Sequence, residues 1–461
     1  MSHLPTSRGA SRPADPAVAV VAGAAAVAVG VVAAWQPFAL AAVAVVGLLA
    51  WGLWTPDRLN YTLFAVLLLV PVTADPGYPV DPVWIVLLAA TAIAALGRIQ
   101  RFQPYAPLPS VGMVGFAVPA VCVLTGLVWW TGPKDIVIAV APLACYALVG
   151  WHVVAEARAG APVIRLARAF AWVAVPITLL AVYQRMSGTW PVLDQLAISN
   201  AFTAQAGAGR SAGTMGHPIV YGTYGMLAMC VAVGLRGRLW QVPFAAGAVG
   251  LLLSGSRSAW IGTACALGIW YLAQPRKLTR RGVGLVAAFA AAGTVLVAVG
   301  PKPVRDLTDL VRARLTNVGG SSSATARYRR TEEAWSGIMD GAGSALFGLG
   351  PEAHVRFFQQ VGISDGQAQA FDNSYLTLWY DFGVLALLVF VSILAVVLVK
   401  LRSLTARMLI VGFAVQIWFF DFYLWPAAAG ALLLAVGIGA AESLRPVDCR
   451  LPDPALTALR R

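Results

Sequence analysis

The sequence predicts an all-α polytopic membrane protein, with about fourteen transmembrane helices (twelve at the fewest) and one helical extracytoplasmic loop module. Three observations carry that expectation. Hydrophobic residues make up 59% of the 461 positions and charged residues only 11%, where a soluble domain is about one quarter charged. Apolar runs close to the roughly 20 residues that cross a bilayer as a helix recur along most of the length. Alternating strands of about ten residues, the mark of a membrane β-barrel, are absent.

The runs fall at about 17–34, 36–54, 59–74, 82–97, 111–131, 135–155, 163–185, 217–235, 239–254, 256–273, 282–300, 373–399, 405–424 and 426–443. Before them, residues 1–16 are polar and read as a disordered cytoplasmic N-terminus. No small-residue cleavage site follows the first run convincingly, so that run is expected to be a retained helix. Residues 17–300 then hold the first eleven transmembrane helices, 301–372 the loop module, 373–443 three more helices, and 444–461 a cytoplasmic tail. Cys122, Cys145, Cys230 and Cys265 sit inside apolar runs without metal-ligand spacing, which makes them packing residues.

Charge tests the count. Of the 33 basic residues only Lys134, Lys277, Lys302 and Lys400 are lysines, and the net charge is +13. In a soluble chain that balance could point to nucleic acid; here it does not, because many arginines sit in short loops. If Arg8 and Arg12 are cytoplasmic, the inner loops carry Arg58, Arg98 and Arg101, Arg158 to Arg168, Arg236 and Arg238, Arg276 to Arg281, and Lys400 to Arg407. The loop 75–81, DPGYPVD, has two acids and no base. Fourteen crossings thus obey the positive-inside rule, with both termini cytoplasmic in a plasma membrane.

Within 301–372, Val304, Leu307, Leu310, Val311 and Leu315 recur at helical spacing. GGSSSAT then breaks the chain and starts a second helix over ATARYRRTEEAWSGIMDG. The module is too short to build a large core of its own, so it is expected to lie on the membrane helices as a lid.

Polar side chains cluster in four places. Arg257 stands in SGSRSAW between two apolar runs, flanked by Ser254, Ser256 and Ser258. It is either an interfacial arginine snorkelling to headgroups or a ligand for phosphate, to which guanidinium binds bidentately. In TARYRRTEEAW, Arg329 has Glu332 and Glu333 at i+3 and i+4 and is expected to pair on the surface. Arg327 and Arg330 share a neighbouring face and are the better ligand-facing pair, against a simple solvated face. Asp372-Asn373 opens an apolar helix; it reads as an N-cap or as a carboxylate able to take a proton from a sugar hydroxyl. RSAGTMGHPIVYGTYG carries Arg210 and His217 at another helix start, where His217 is either structural or substrate-binding. FGLGP at 347–351 is a turn, and Asp421 in FFDFYLW is either interfacial or cavity-facing.

In their order these segments resemble the O-antigen ligase and polymerase superfamily of bacterial membrane glycosyltransferases. RSAGTMGHP precedes a helix, GSRSAWIG forms a hairpin, a large loop with arginines and an FGLG turn follows, and three helices finish the set. The ligase motif has His, then Asn or a similar residue, then Gly after nine further positions and a second small residue three beyond. This chain has Asp372, Asn373, Gly383 and Ala386 there. The resemblance covers about 205–400. It implies a donor glycan on undecaprenyl diphosphate at the outer membrane face, a glycan or lipid acceptor, and metal-independent inverting transfer without a cofactor. It also implies that Arg257 with Arg327 or Arg330 holds the diphosphate, that Arg210, His217 and Asn373 contact substrate, and that Asp372 takes the position of the motif histidine. Aspartate in place of histidine leans toward a polymerase, or a ligase for another acceptor. The rival class is a lipid-linked oligosaccharide flippase, which would show internal repeats and mid-helix charges; the helix interiors here are nearly free of charge. A third class is a non-catalytic partner in a cell-wall assembly.

Overall fold

The computed structural model describes residues 115–129, 132–158, 163–189, 210–215, 217–237, 239–273, 322–361, 371–421 and 426–443. Regular structure in these segments is helical. In chain order the helices are α1 (Ala117–Val128), α2 (Pro133–Arg158), α3 (Val163–Ser187), α4 (Pro218–Leu235), α5 (Gln241–Ser254) and α6 (Arg257–Ala273). They continue with α7 (Ser322–Met339), α8 (Ala342–Phe347), α9 (Ala353–Gln360), α10 (Ser374–Lys400), α11 (Leu404–Gln416) and α12 (Pro426–Ser443).

The nine apolar runs that fall on described residues each form a helix, starting and ending within a few residues of the sequence reading for most. The runs at 17–97 and 282–300, the periodic segment 304–315 and the tail lie outside the described residues. Pro133–Ala155, Val163–Ser187, Pro218–Leu235 and Ser374–Lys400 are long and apolar enough to cross a membrane; α1, α5, α11 and part of α12 are shorter apolar helices. The composition and these helices together make this a membrane protein.

α4 is the axis of the assembly. Almost every side chain in it is buried, and α3, α5, α6 and α11 pack around it. An apolar helix gains little from leaving lipid for protein, so close backbone approach has to hold the contact. Glycine supplies it: a Cβ on Gly225 would lie 2.8 Å from the Gly247 carbonyl of α5, and one on Gly262 in α6 would lie 2.8 Å from the Gly412 carbonyl of α11. Buried hydroxyls add polar ties across the same interfaces. Tyr224 donates to the Phe170 carbonyl at 2.7 Å, and Thr178 donates to the Ala246 carbonyl at 3.0 Å.

One run ends earlier than its hydropathy implies. The apolar stretch 405–424 is helical only to Gln416, and the chain then turns through 417–421. The turn is fixed from outside: Ser374 donates its backbone N–H to the Ile417 carbonyl at 2.9 Å and its hydroxyl to the Phe420 carbonyl at 2.9 Å. Hydropathy cannot register a stop made by another helix.

α10 is two helices in one apolar run. Gly383 adopts φ 81° and ψ 174° inside it, so the carbonyls just before the break lose their in-helix donors. The FGLG turn supplies replacements. Leu349 N–H reaches the Tyr380 carbonyl at 2.8 Å, and Gly350 N–H reaches the Asp381 carbonyl at 3.1 Å. Non-helical backbone in an apolar helix is tolerated only where protein satisfies it in this way. α7, α8 and α9 thereby dock on the upper half of α10 around an aromatic cluster of Phe357, Phe358, Phe371 and Tyr380.

Candidate functional site

The polar residues gather at the end of the bundle where α4, α6 and α10 begin and α11 stops. The SGSRSAW hairpin builds one side. Gly255 takes a left-handed conformation that ends α5, and α6 starts at Arg257. Ser256 and Ser258 share a hydrogen bond at 3.0 Å between hydroxyls, while Ser254 caps its own turn by donating to the Leu251 carbonyl at 2.7 Å. Arg210 is tied to this hairpin: its Nε–H donates to the Ser254 carbonyl at 2.9 Å. Gly222, in the second turn of α4, lies flush against the hairpin, where a Cβ would sit 2.8 Å from Ser254 Oγ and 2.9 Å from Ala259 Cβ.

His217 is buried at the N-cap of α4, and its Nδ1 accepts the Ile219 N–H at 3.2 Å. A histidine followed by proline suits that position because Pro218 at N1 has no N–H to satisfy. From the next turn of α4, Thr223 accepts a 2.6 Å hydrogen bond from Gln416 Nε2 at the end of α11.

The start of α10 builds the other side. Asn373, not Asp372, is the N-cap: its side-chain oxygen accepts from the N–H groups of Tyr375 and Leu376, each at 3.1 Å. Asp372 precedes the cap with φ 57°, a left-handed conformation that a non-glycine side chain adopts at a cost. The capping that sequence patterning offers to either residue thus goes to one, and the other is left strained at the helix mouth. Further in, Thr377 Oγ1 lies 2.8 Å from Asp421 Oδ1 and 3.1 Å from the Asn373 carbonyl oxygen.

Two buried carboxylates sit beneath Asp372. Asp421 is 1% exposed in the turn after α11, and its Oδ2 has no hydrogen-bond partner among the described residues. Burial raises its pKa to about 7, opposed by the Thr377 hydroxyl and by His354, with Asp372 and Asp381 pushing it further up. Asp381 is 2% exposed, two residues before the Gly383 break in α10. It accepts the His354 backbone N–H at 2.9 Å on Oδ1 and forms a 2.6 Å pair with His354 Nδ1 through Oδ2. For His354, burial pulls the pKa down, but Asp381, with Asp421 and Glu352 beyond it, more than offsets that and leaves it raised.

The loop arginines reach this region through the aromatic cluster. Arg330 stacks its guanidinium over the Phe358 ring, 5.3 Å from the centroid; Phe358 packs on Phe371 at 5.1 Å, and Phe371 adjoins Asp372 in the chain. Arg329 pairs with Glu333 at 2.8 Å on the exposed face, as its i+4 spacing leads one to expect. Arg327 lies on α7 three residues before Arg330, and its side chain is outside the described part. Sequence reasoning missed the His354–Asp381 pair altogether. The only available signal was an acidic residue two positions before a motif glycine; nothing local links it to a histidine 27 positions away.

No curated protein gives a significant match to this chain. A family model described as O-antigen ligase matches residues 242–391, from the first turn of α5 into the lower half of α10. That stretch includes Arg257, Arg330, His354, Asp372, Asp381 and Gly383, and leaves Arg210, His217 and Asp421 outside. Over those residues the chain is similar to the O-antigen ligase family, which supports the superfamily resemblance carried by the order of its motifs.

Proposed function

We propose that the protein is a bacterial plasma-membrane glycosyltransferase that moves a glycan from undecaprenyl diphosphate to an acceptor hydroxyl at the extracytoplasmic face. The observation that carries this reading is the O-antigen ligase match over 242–391, combined with a strained carboxylate and arginines at one end of the same bundle. In this reading Arg257, at the first position of α6, meets the anion, and the helix N-terminus adds its own positive potential. Arg330 and Arg327 on α7, Arg210 beside the hairpin and His217 at the N-cap of α4 complete the substrate surface in this proposal.

Asp372 is the proposed base. In its αL conformation it stands outside the helix that Asn373 caps. It accepts the proton of the acceptor hydroxyl as the oxygen attacks the anomeric carbon from the face opposite the diphosphate. The bond to the lipid diphosphate breaks as the new glycosidic bond forms, and the configuration inverts. The departing diphosphate gathers charge, and fixed arginines stabilise that charge more than they stabilise the ground state.

Arg257→Ala is expected to lower transfer by about 100-fold or more, the effect of deleting one donor to a developing oxyanion, while the protein still reaches the membrane. Retained activity in that variant would sink the proposal. Mass spectrometry of polyprenyl-linked glycans from a strain lacking the protein separates the two subclasses: single repeat units accumulate if it is a polymerase, and long lipid-linked chains if it is a ligase. Accumulation of neither on the outer leaflet returns the flippase reading to the front.

A further inference from the structure

The buried carboxyl of Asp421 has no part in the transfer chemistry outlined above, yet it holds the helix turn on which Asp372 stands. We infer that Asp421 is a positioning residue kept as a neutral carboxylic acid in the working protein, accepting the Thr377 hydroxyl and so locking the mouth of α10 to the end of α11. The role in catalysis rests on the proposed function; the protonation state does not.

Hydrogen-bond accounting is the first support. Thr377 Oγ1 carries one proton and has two acceptors within reach, Asp421 Oδ1 at 2.8 Å and the Asn373 carbonyl at 3.1 Å. The hydroxyl donates to Asp421 Oδ1, the nearer of the two, and the Asn373 carbonyl also receives the Thr377 backbone N–H at 3.0 Å. One carboxyl oxygen is thus answered, while Oδ2 is buried with no donor among the described residues. An ionised carboxylate there would bury a charged oxygen with nothing to compensate it.

The surrounding charge is the second support. α10 brings Asp372 and Asp381 within electrostatic reach, and α9 brings His354. His354 is engaged by Asp381 through both Nδ1 and its backbone N–H, so its charge is largely answered there. α4 and α6, which also pack on α11, bring His217 and Arg257 to the same end of the bundle. The nearest carboxylates, Asp372 and Asp381, both disfavour a further negative charge, as does the burial itself.

Ionisation has a defined structural consequence. A charged Asp421 leaves Oδ2 seeking a donor and repels Asp372. The Ser374 bonds to Ile417 and Phe420 are the remaining fasteners of the turn. The site loosens as pH rises, and the amide of Asn, neutral at every pH, removes that sensitivity.

Three readouts on purified full-length protein in detergent test this. Infrared difference spectra between pH about 6 and about 8.5 are expected to contain a buried carboxylic C=O stretch in the wild type that is missing in Asp421→Asn. The wild-type melting temperature falls across that interval, and the fall is shallower in the variant. In a strain lacking the gene, Asp421→Asn restores surface polysaccharide at external pH about 6.5 and about 8.5, whereas the wild type weakens at the higher value. Absence of the carboxylic band from the wild type overturns the inference, and needs no variant to fold. A folded Asp421→Asn protein that fails to restore polysaccharide at every pH overturns the positioning role, since a neutral side chain would then not suffice. Should the protein prove not to be a glycosyltransferase, only the polysaccharide readout loses its meaning; the spectroscopic and thermal results still decide the protonation state.

Discussion

Asp372 and Asn373 divide between them two tasks that the sequence offers to both. Asn373 satisfies the first orphan N–H groups of α10, and its replacement by Ala is expected to cost about 1 kcal/mol of stability. Asp372 contributes no cap and bears an αL backbone, a conformation aspartate and asparagine tolerate better than most residues. Asp372→Asn therefore tests chemistry with little structural penalty: transfer is expected to fall by about 10²- to 10⁴-fold, with the melting temperature within a degree or two of the wild type. A large loss of stability instead would make the carboxylate structural. His354 adds a dependence on pH whose sign follows from its raised pKa. The stabilisation is fully present below the ordinary histidine value of about 6.5 and is lost as pH rises through the higher folded value. Asp381→Asn removes the partner, and His354→Gln leaves Asp381 a buried charge without its histidine; the latter is expected to cost about 3–5 kcal/mol. Thermal unfolding of the two single variants and the double variant, repeated on both sides of neutrality, measures the coupling.

At the scale of elements, α10 carries the information that sequence patterning handles least well. Its apolar run reads as one uninterrupted helix because 374–400 contains no proline and no charge from Phe382 to Val399. Gly383 breaks it nonetheless, since the N–H groups of a tertiary partner donate to the freed carbonyls. Gly383→Ala places a Cβ against the Leu346 carbonyl in a backbone conformation closed to alanine. We expect a loss above about 3 kcal/mol and little folded protein by fluorescence-detected size exclusion. The converse holds for helices set by apolar length alone. α2, α3, α4 and α6 were legible nearly to the residue, and α7 emerged where GGSSSAT predicted a start. What the sequence hid were features made between elements: the early stop of α11 imposed by Ser374, and the reach from His354 to Asp381 across 27 positions.

Across the described residues, hydrogen bonds, close packing and ring contacts link the hairpin to the loop module. Arg210 holds Ser254; the hairpin seats on α4; Thr223 takes Gln416; the end of α11 grips the start of α10; and Phe371 and Phe358 pass the contact on to Arg330. The composition and the charge alternation pointed to the membrane class, and motif order pointed to the superfamily that the 242–391 match supports. Convergence of those motifs at one end of the bundle became visible only in three dimensions, because 193 positions separate Thr223 from Gln416 along the chain.

The break at Gly383 bears on how such proteins can be recombined. The FGLG turn is bonded to the backbone of α10 and not to its side chains, so its partner is a shape that only a broken helix presents. A loop module transplanted alone onto a relative with a straight helix would find its N–H groups facing carbonyls already in use. The heritable unit is therefore the loop together with the upper half of α10, a cassette from about 342 to 386. Chimeras joined outside those limits inherit a matched lock and key; those joined at the loop's own edges inherit half of one.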